Sequence, residues 1–221
     1  MMINTIIFDM DGTLLNTLED LADSVNYAIG VFGLPPRNIN DVRRFLGNGA
    51  EVLVKKCIEK RLDEKTENLC IHTFKEYYKD HMDIKTKPYD GIMDLIRILL
   101  TKEYKIAIVS NKFDSAVKGL NDDYFDGLFP VAIGESEDVS KKPAPDCVIK
   151  ALKELNSIPE NAVYVGDSEV DIMTAHNSGI PCVSVTWGFR DEDYLKELDT
   201  DYIIHEPKQL LDILDGRNRA C

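Results

Sequence analysis

Two carboxylates one residue apart, Asp9 and Asp11, close a short apolar run of Ile3, Ile6, Ile7 and Phe8, and Gly12 and Thr13 follow at once. At that spacing in a loop the two acids can converge on one point. They repel there, and one of them keeps its proton unless a cation sits between them. A divalent metal with oxygen ligands resolves the repulsion. An isolated Asp-x-Asp is more often an Asx-turn and a helix cap, so its chemical reading depends on partners elsewhere in the chain.

Three further polar groups stand in comparable places. Ser110 and Asn111 follow the branched run Ile106-Ala107-Ile108-Val109. Lys141-Lys142-Pro143-Ala144-Pro145-Asp146 opens a helical stretch, and Gly166-Asp167-Ser168-Glu169-Val170-Asp171 follows Ala162-Val163-Tyr164-Val165. Each alone is explained by capping or by the helix macrodipole. Four such groups at successive strand ends are not, because all carboxyl ends of a parallel sheet share one edge, where ligands bind.

The elements that position these groups follow from periodicity. The run before Asp9 predicts a strand buried on both faces. Leu18, Leu21, Ala22, Val25, Ala28 and Ile29 then recur at helical spacing, and Gly33 with Pro35-Pro36 ends that helix. Helices are predicted over 41–46, from Val52 to Ile58, and over 66–81, with no convincing strand among them. From Pro88 the texture alternates, with helices at 92–100, 113–120, 145–155, 170–178 and 210–214. Between them fall strands at 106–109, 131–133, 162–165, 182–185 and 202–204. Alternation of this kind predicts an α/β fold with a doubly wound parallel sheet and right-handed crossovers. The expected division is a core of 1–14 and 86–221, with an inserted all-helical cap domain at 15–85.

Composition narrows the function classes. The 221 residues are 44% hydrophobic and 29% charged, with a net charge of −13, which is globular and acidic. Thirteen acids face Arg190, Lys196 and Lys208 between Glu160 and Asp215. This balance argues against nucleic acid as a partner, and an anionic substrate needs a local metal or lysine to offset the field. Cys57, Cys70, Cys147, Cys182 and Cys221 form no Cys-x-x-Cys pair and predict reduced thiols in a cytoplasmic protein. No signal peptide or membrane-spanning run is present. His72, His81, His176 and His205 are scattered without metal-ligand spacing.

Together, Asp9-Met10-Asp11-Gly12-Thr13, Ser110-Asn111, Lys142-Pro143 and Gly166-Asp167-Ser168-Glu169-Val170-Asp171 resemble the four-motif signature of the haloacid dehalogenase-like superfamily, over the whole chain. Phe45-Leu46-Gly47-Asn48-Gly49-Ala50-Glu51-Val52-Leu53 and Thr186-Trp187-Gly188-Phe189 are most similar to the phosphoglycolate phosphatase family. The resemblance implies that Asp9 is a nucleophile forming an aspartyl-phosphate, and that Asp11 protonates the leaving alkoxide and then activates water. Halide departure needs no such acid, so Asp11 favours phosphoryl chemistry. It further implies Mg²⁺ held by Asp9, the Asp11 carbonyl and Asp167, with Asp171 acting through water. Ser110, Asn111 and Lys142 would bind the phosphoryl oxygens. Asn48 and Gly49 are candidates to face the leaving group, with Arg43 and Arg44 as a weaker choice. Trp187 is expected to pack near the site.

The expected activity is Mg²⁺-dependent hydrolysis of a small phosphate monoester, as a phosphoric monoester hydrolase. Pyrophosphatase, sugar-phosphate or nucleotide phosphatase, and phosphomutase are the alternatives within the superfamily. Outside it stands a receiver-like module phosphorylated on Asp9, which would lack the helical insertion. A dinucleotide-dependent oxidoreductase is disfavoured because no Gly-x-Gly-x-x-Gly turn follows the first strand. The sequence leaves monomer and dimer equally open.

Overall fold

A computed structural model describes residues 2–219; Cys221 lies outside them. The first strand, β1 (Thr5–Phe8), is buried at every position. It is followed by β2 (Leu15–Asn16), α1 (Leu18–Val31), α2 (Ile39–Phe45), α3 (Ala50–Ile58), α4 (Glu64–Lys79) and β3 (Lys87–Pro88). Then come α5 (Ile92–Thr101), β4 (Lys105–Phe113), α6 (Asp114–Phe125), β5 (Val131–Glu135), α7 (Asp146–Glu154), β6 (Ala162–Gly166) and α8 (Glu169–Asn177). The chain finishes with β7 (Cys182–Val185), α9 (Glu192–Glu197), β8 (Tyr202–Ile204) and α10 (Gln209–Arg219). Two compact units result, one holding the residues up to Leu15 and those from Pro88 on, the other Asn16–Lys87.

The first unit is the doubly wound α/β sheet. Its six strands run in the order β5-β4-β1-β6-β7-β8, and every registered pair is parallel. From β1 the chain winds outward through β4 and β5, then returns to the other side of β1 for β6, β7 and β8. The strand order therefore reverses at β1, which is where an open α/β sheet leaves a crevice at its carboxyl edge. One face carries Ile7, Val109, Ile133 and Tyr164 against Cys147, Val148, Ala151 and Leu152 of α7 and Ile172 and Ala175 of α8. On the opposite face Phe8 meets Phe129 edge-on at 6.0 Å, and Phe129 meets Phe125 of α6 at 5.3 Å. Helices thus cover both faces, and the continuous apolar runs of the strands follow from that double burial.

The second unit is the helical insertion. Buried Leu21, Val25, Ala28 and Ile29 of α1, Val42 of α2, Leu53, Val54 and Cys57 of α3, and Cys70, Ile71 and Phe74 of α4 supply its interior. Side-chain caps set two helix starts ahead of where the apolar periodicity alone placed them. The Asn38 carboxamide accepts from Asp41 N at 3.0 Å, and the Asp63 carboxylate accepts from Thr66 N at 2.9 Å. The buried Asp20 carboxylate accepts from Lys85 N at 3.0 Å and Thr86 N at 2.8 Å, which ties the end of the insertion to α1. Among the described residues no helix is long and apolar enough to cross a membrane. Cys57, Cys70, Cys147 and Cys182 are free and buried.

Candidate active site

Asp9 is the first residue beyond β1, and its N–H still donates to the Val165 carbonyl of β6 at 2.9 Å. The chain then folds back on itself. Met10 O accepts from Thr13 N at 3.3 Å and from Leu14 N and Leu15 N at 3.0 Å. That turn needs Gly12, whose φ is +87° and where a Cβ would lie 2.5 Å from Asp167 Oδ2. Gly188 approaches from the other side, where a Cβ would lie 2.5 Å from Gly12 O. Two main chains without side chains therefore wrap Asp167, and Phe189 N donates to its Oδ2 at 2.6 Å. Trp187 Nε1 donates to Thr13 O at 3.0 Å, so Trp187 is tied to the same loop.

Lys142 sits at the centre of the carboxylates. Its side chain is 2% exposed, and Nζ lies 2.9 Å from Asp9 Oδ1 and 2.7 Å from Asp171 Oδ1. The ammonium also donates to the Tyr164 hydroxyl at 3.1 Å. That hydroxyl is 3.2 Å from both Val109 O and Asp171 Oδ1, so its one proton is shared between two acceptors. Asp171 Oδ2 accepts from Ser168 Oγ at 2.7 Å, Ser168 N at 3.1 Å and Asp167 N at 3.2 Å. Asp171 is thus a helix cap and a member of the site at once, its two oxygens divided between the α8 capping box and Lys142.

Carboxylate charge exceeds the cation available. One oxygen from each of Asp9, Asp167 and Asp171 lies within 4.8 Å of the others, and all three residues are buried. Burial pushes the Asp9 carboxyl up to about 7 against the pull of Lys142, with Asp171 adding to the rise. Burial, then Asp171 and Asp9, raise Asp167 well above the usual carboxylate range, opposed by Phe189 N and Arg190. Burial would lower Lys142, but Asp171 and Asp9 outweigh it and hold the ammonium well above its ordinary value. Asp9 Oδ1 is buried, and Lys142 Nζ lies 2.9 Å from it. Three buried carboxylates around a single ammonium, hard oxygen ligands with charge to spare, fit a small divalent cation.

The end of β4 contributes by irregularity. Val109 pairs with Ile133 and Phe113 with Glu135, so Ser110, Asn111 and Lys112 stand opposite the single residue Gly134. Strand alternation is broken there, and all three side chains are buried. The Asn111 carboxamide donates to Lys142 O at 3.1 Å and accepts from Lys142 N at 2.8 Å, holding the lysine by its main chain. Lys112 Nζ donates to Asp11 Oδ1 at 3.0 Å and Oδ2 at 3.1 Å.

The profile of the haloacid dehalogenase-like hydrolases matches residues 6–185. The chain belongs to that family. This hydrolase is 31% identical to pyrophosphatase PpaX of Bacillus cereus (strain G9842) over all of both chains. It is 29% identical to the phosphoglycolate phosphatase of Aquifex aeolicus, covering 96% of each. A crystal structure from Lactobacillus delbrueckii subsp. bulgaricus, provisionally designated a phosphoglycolate phosphatase, superimposes with a TM-score of 0.89 at 34% identity, over 97% of this chain and 99% of that one.

In this haloacid dehalogenase-like hydrolase Asp9, Lys142, Asp167 and Asp171 meet at one point, with Asp11 two residues beyond Asp9. Ser110 opens the bulge of β4, where its hydroxyl accepts from Lys112 N at 3.4 Å, and Asn111 bonds to the lysine's main chain. Asn48 and Gly49 lie between α2 and α3 in the helical unit, with Arg43 and Arg44 on α2. Two residues of the site escape sequence reasoning. Tyr164 sits in an apolar strand where nothing marks its hydroxyl as functional. Lys112 follows Asn111 in the bulge, and nothing in the sequence marks it as the lysine that reaches Asp11. The half-buried pair of Arg190 and Glu169, bonded at 2.6 and 2.9 Å, is a further feature of the α8 end that spacing does not reveal.

Proposed function

We propose that the chain hydrolyses a small phosphate monoester through covalent phosphorylation of Asp9, with Mg²⁺ held by the Asp9 carboxylate, the Asp11 carbonyl and Asp167. The observation that supports this reading best is the buried cluster of Asp9, Asp167 and Asp171, with one oxygen of each within 4.8 Å of the others and Lys142 Nζ 2.9 Å from Asp9 Oδ1. The cation supplies charge neutralisation between Asp9 and the substrate's phosphoryl oxygens. An Asp9 oxygen attacks phosphorus, and the bond from phosphorus to the substrate's ester oxygen breaks. Asp11 gives that oxygen its proton. Water then attacks phosphorus of the aspartyl-phosphate and loses a proton to Asp11, the bond from Asp9 to phosphorus breaks, and inorganic phosphate leaves with Asp9 again a carboxylate and Asp11 again protonated. Lys142 and Ser110 attract the phosphoryl oxygens, Asn111 fixes the main chain of Lys142, and Asp171 acts from outside the cation's ligands.

For substrate we propose phosphoglycolate. Pyrophosphate is the second reading, supported by full-length similarity to proteins named pyrophosphatase PpaX. Asn48 and Gly49 are proposed to influence which leaving group is accepted. The free buried thiols suit the cytoplasm. A panel of phosphoglycolate, other phosphate esters and pyrophosphate, with Mg²⁺ varied, tests the whole reading. Wild type should release phosphate from one of them only with the cation, and Asp9→Asn should fall to background. Full turnover in Asp9→Asn would refute the mechanism, and a strong preference for pyrophosphate would replace the ester. The same panel on Asn48→Ala should change the preference among leaving groups, and an unchanged preference removes Asn48 from the proposal.

A further inference from the structure

The second buried lysine, Lys112, has no part in the reaction as written above. Its side chain is 2% exposed, yet the Asp11 carboxylate it grips is 20% exposed. The cation is walled in while its partner keeps an open side. Burying an ammonium is costly, and for stability alone an apolar residue would serve as well or better. The fold nevertheless departs from regular strand geometry to place it. Three residues of β4 bulge opposite Gly134, where a Cβ would lie 2.6 Å from Lys112 O and 2.5 Å from Asp114 Cα. The two lysines divide the acids between them. Lys142 pairs with Asp9 and Asp171, and Lys112 with Asp11.

An aspartate carboxylate turns freely about its last torsion, which is broad and two-fold. With both oxygens held by one ammonium at 3.0 and 3.1 Å, its plane is fixed. When one oxygen carries the proton, the other still accepts from Nζ. We propose that Lys112 is a positioning residue for Asp11, setting the edge of the carboxyl that meets the departing oxygen. The inference rests on the reading of Asp11 as proton donor. Its consequence is selective: Lys112 matters in proportion to the help a leaving group needs.

The test compares kcat/KM for an alkyl phosphate, whose alkoxide must be protonated, with that for 4-nitrophenyl phosphate, whose phenolate departs unaided. Lys112→Met should lose about tenfold or more on the alkyl ester and less than about threefold on the aryl ester. Lys112→Arg, which keeps a cation, should recover part of the alkyl activity. Equal losses on both esters, or no loss on either, would overturn the proposal. If Lys112→Met does not fold, Lys112→Gln replaces it in the same two assays, where unequal losses support the proposal and equal ones overturn it. A wild-type enzyme inactive on both esters would remove the proposed reaction and this inference with it, whereas an active wild type with uniform losses removes the inference alone.

Discussion

Lys142 is held by several neighbours at once, and the Tyr164 hydroxyl is the one that can be removed without changing shape. Tyr164→Phe keeps the buried ring and deletes a group that accepts from Lys142 Nζ and reaches Val109 O. The lost hydrogen bonding should cost about 1–2 kcal/mol in a urea titration, with a small fall in turnover as the ammonium loses one restraint. A variant as stable as wild type would mean that the hydroxyl contributes nothing to holding the lysine. Residues of this kind mark the limit of what a sequence reveals. Asp9, Asp11, Lys142, Asp167 and Asp171 are legible because a charged group at a strand end is conspicuous. Tyr164 is not, because a tyrosine in an apolar strand looks like packing. At Asp171 capping and site chemistry coexist, since one oxygen serves each.

Strands and helices are legible where one period persists, as in β1, β6, β7 and α1. They are less so where local geometry overrides it. Pattern alone ends β4 at Val109, whereas pairing with β5 resumes at Phe113 beyond the bulge, and α6 begins at Asp114. The two-residue strands β2 and β3 carry too few side chains to show any period. Short α9, with Leu195 as its one buried residue, has the same problem. Gly134 is where this element-level geometry can be tested. Gly134→Ala forces a Cβ against the backbone of Asp114 and Lys112 at 2.5–2.6 Å, which only main-chain movement can relieve. It should cost about 1–3 kcal/mol and lower activity as well, because the bulge carries Asn111 and Lys112. Gly30 in α1 is the contrast, with nothing within 4 Å of its Cβ position. Gly30→Ala should stabilise by about 0.5–1 kcal/mol at unchanged activity. Thermal or urea melts of the two variants check both signs, and a Gly134→Ala protein with native stability and turnover would show that the bulge tolerates displacement.

For the molecule as a whole, the excess of buried acid predicts that stability responds to a divalent cation. In the cation-free chain Asp9 is raised from its ordinary 3.8 to about 7. The folded state therefore holds that proton to higher pH than the unfolded chain does. The associated stability is present below about pH 4 and is lost as pH rises toward 7. A divalent cation that binds only the folded chain reverses the loss. At one hundred times its dissociation constant it adds about 2.7 kcal/mol, or roughly 5–10 °C in Tm for a chain of this size. Melts with Mg²⁺ and with a chelator, at pH 5 and pH 7.5, should show the gap widening at the higher pH. An identical Tm in all four would argue against a cation among these acids. Strand order has a separate consequence, for biosynthesis. β1 leaves the ribosome ahead of the other strands, and its two neighbours start at Lys105 and Ala162, a hundred and more residues later. The helices of Asn16–Lys87 have all their internal partners before either strand is made and can compact while β1 waits unpaired. The nascent polypeptide therefore carries an unpaired Thr5–Phe8 segment until about half of the 221 residues have been made.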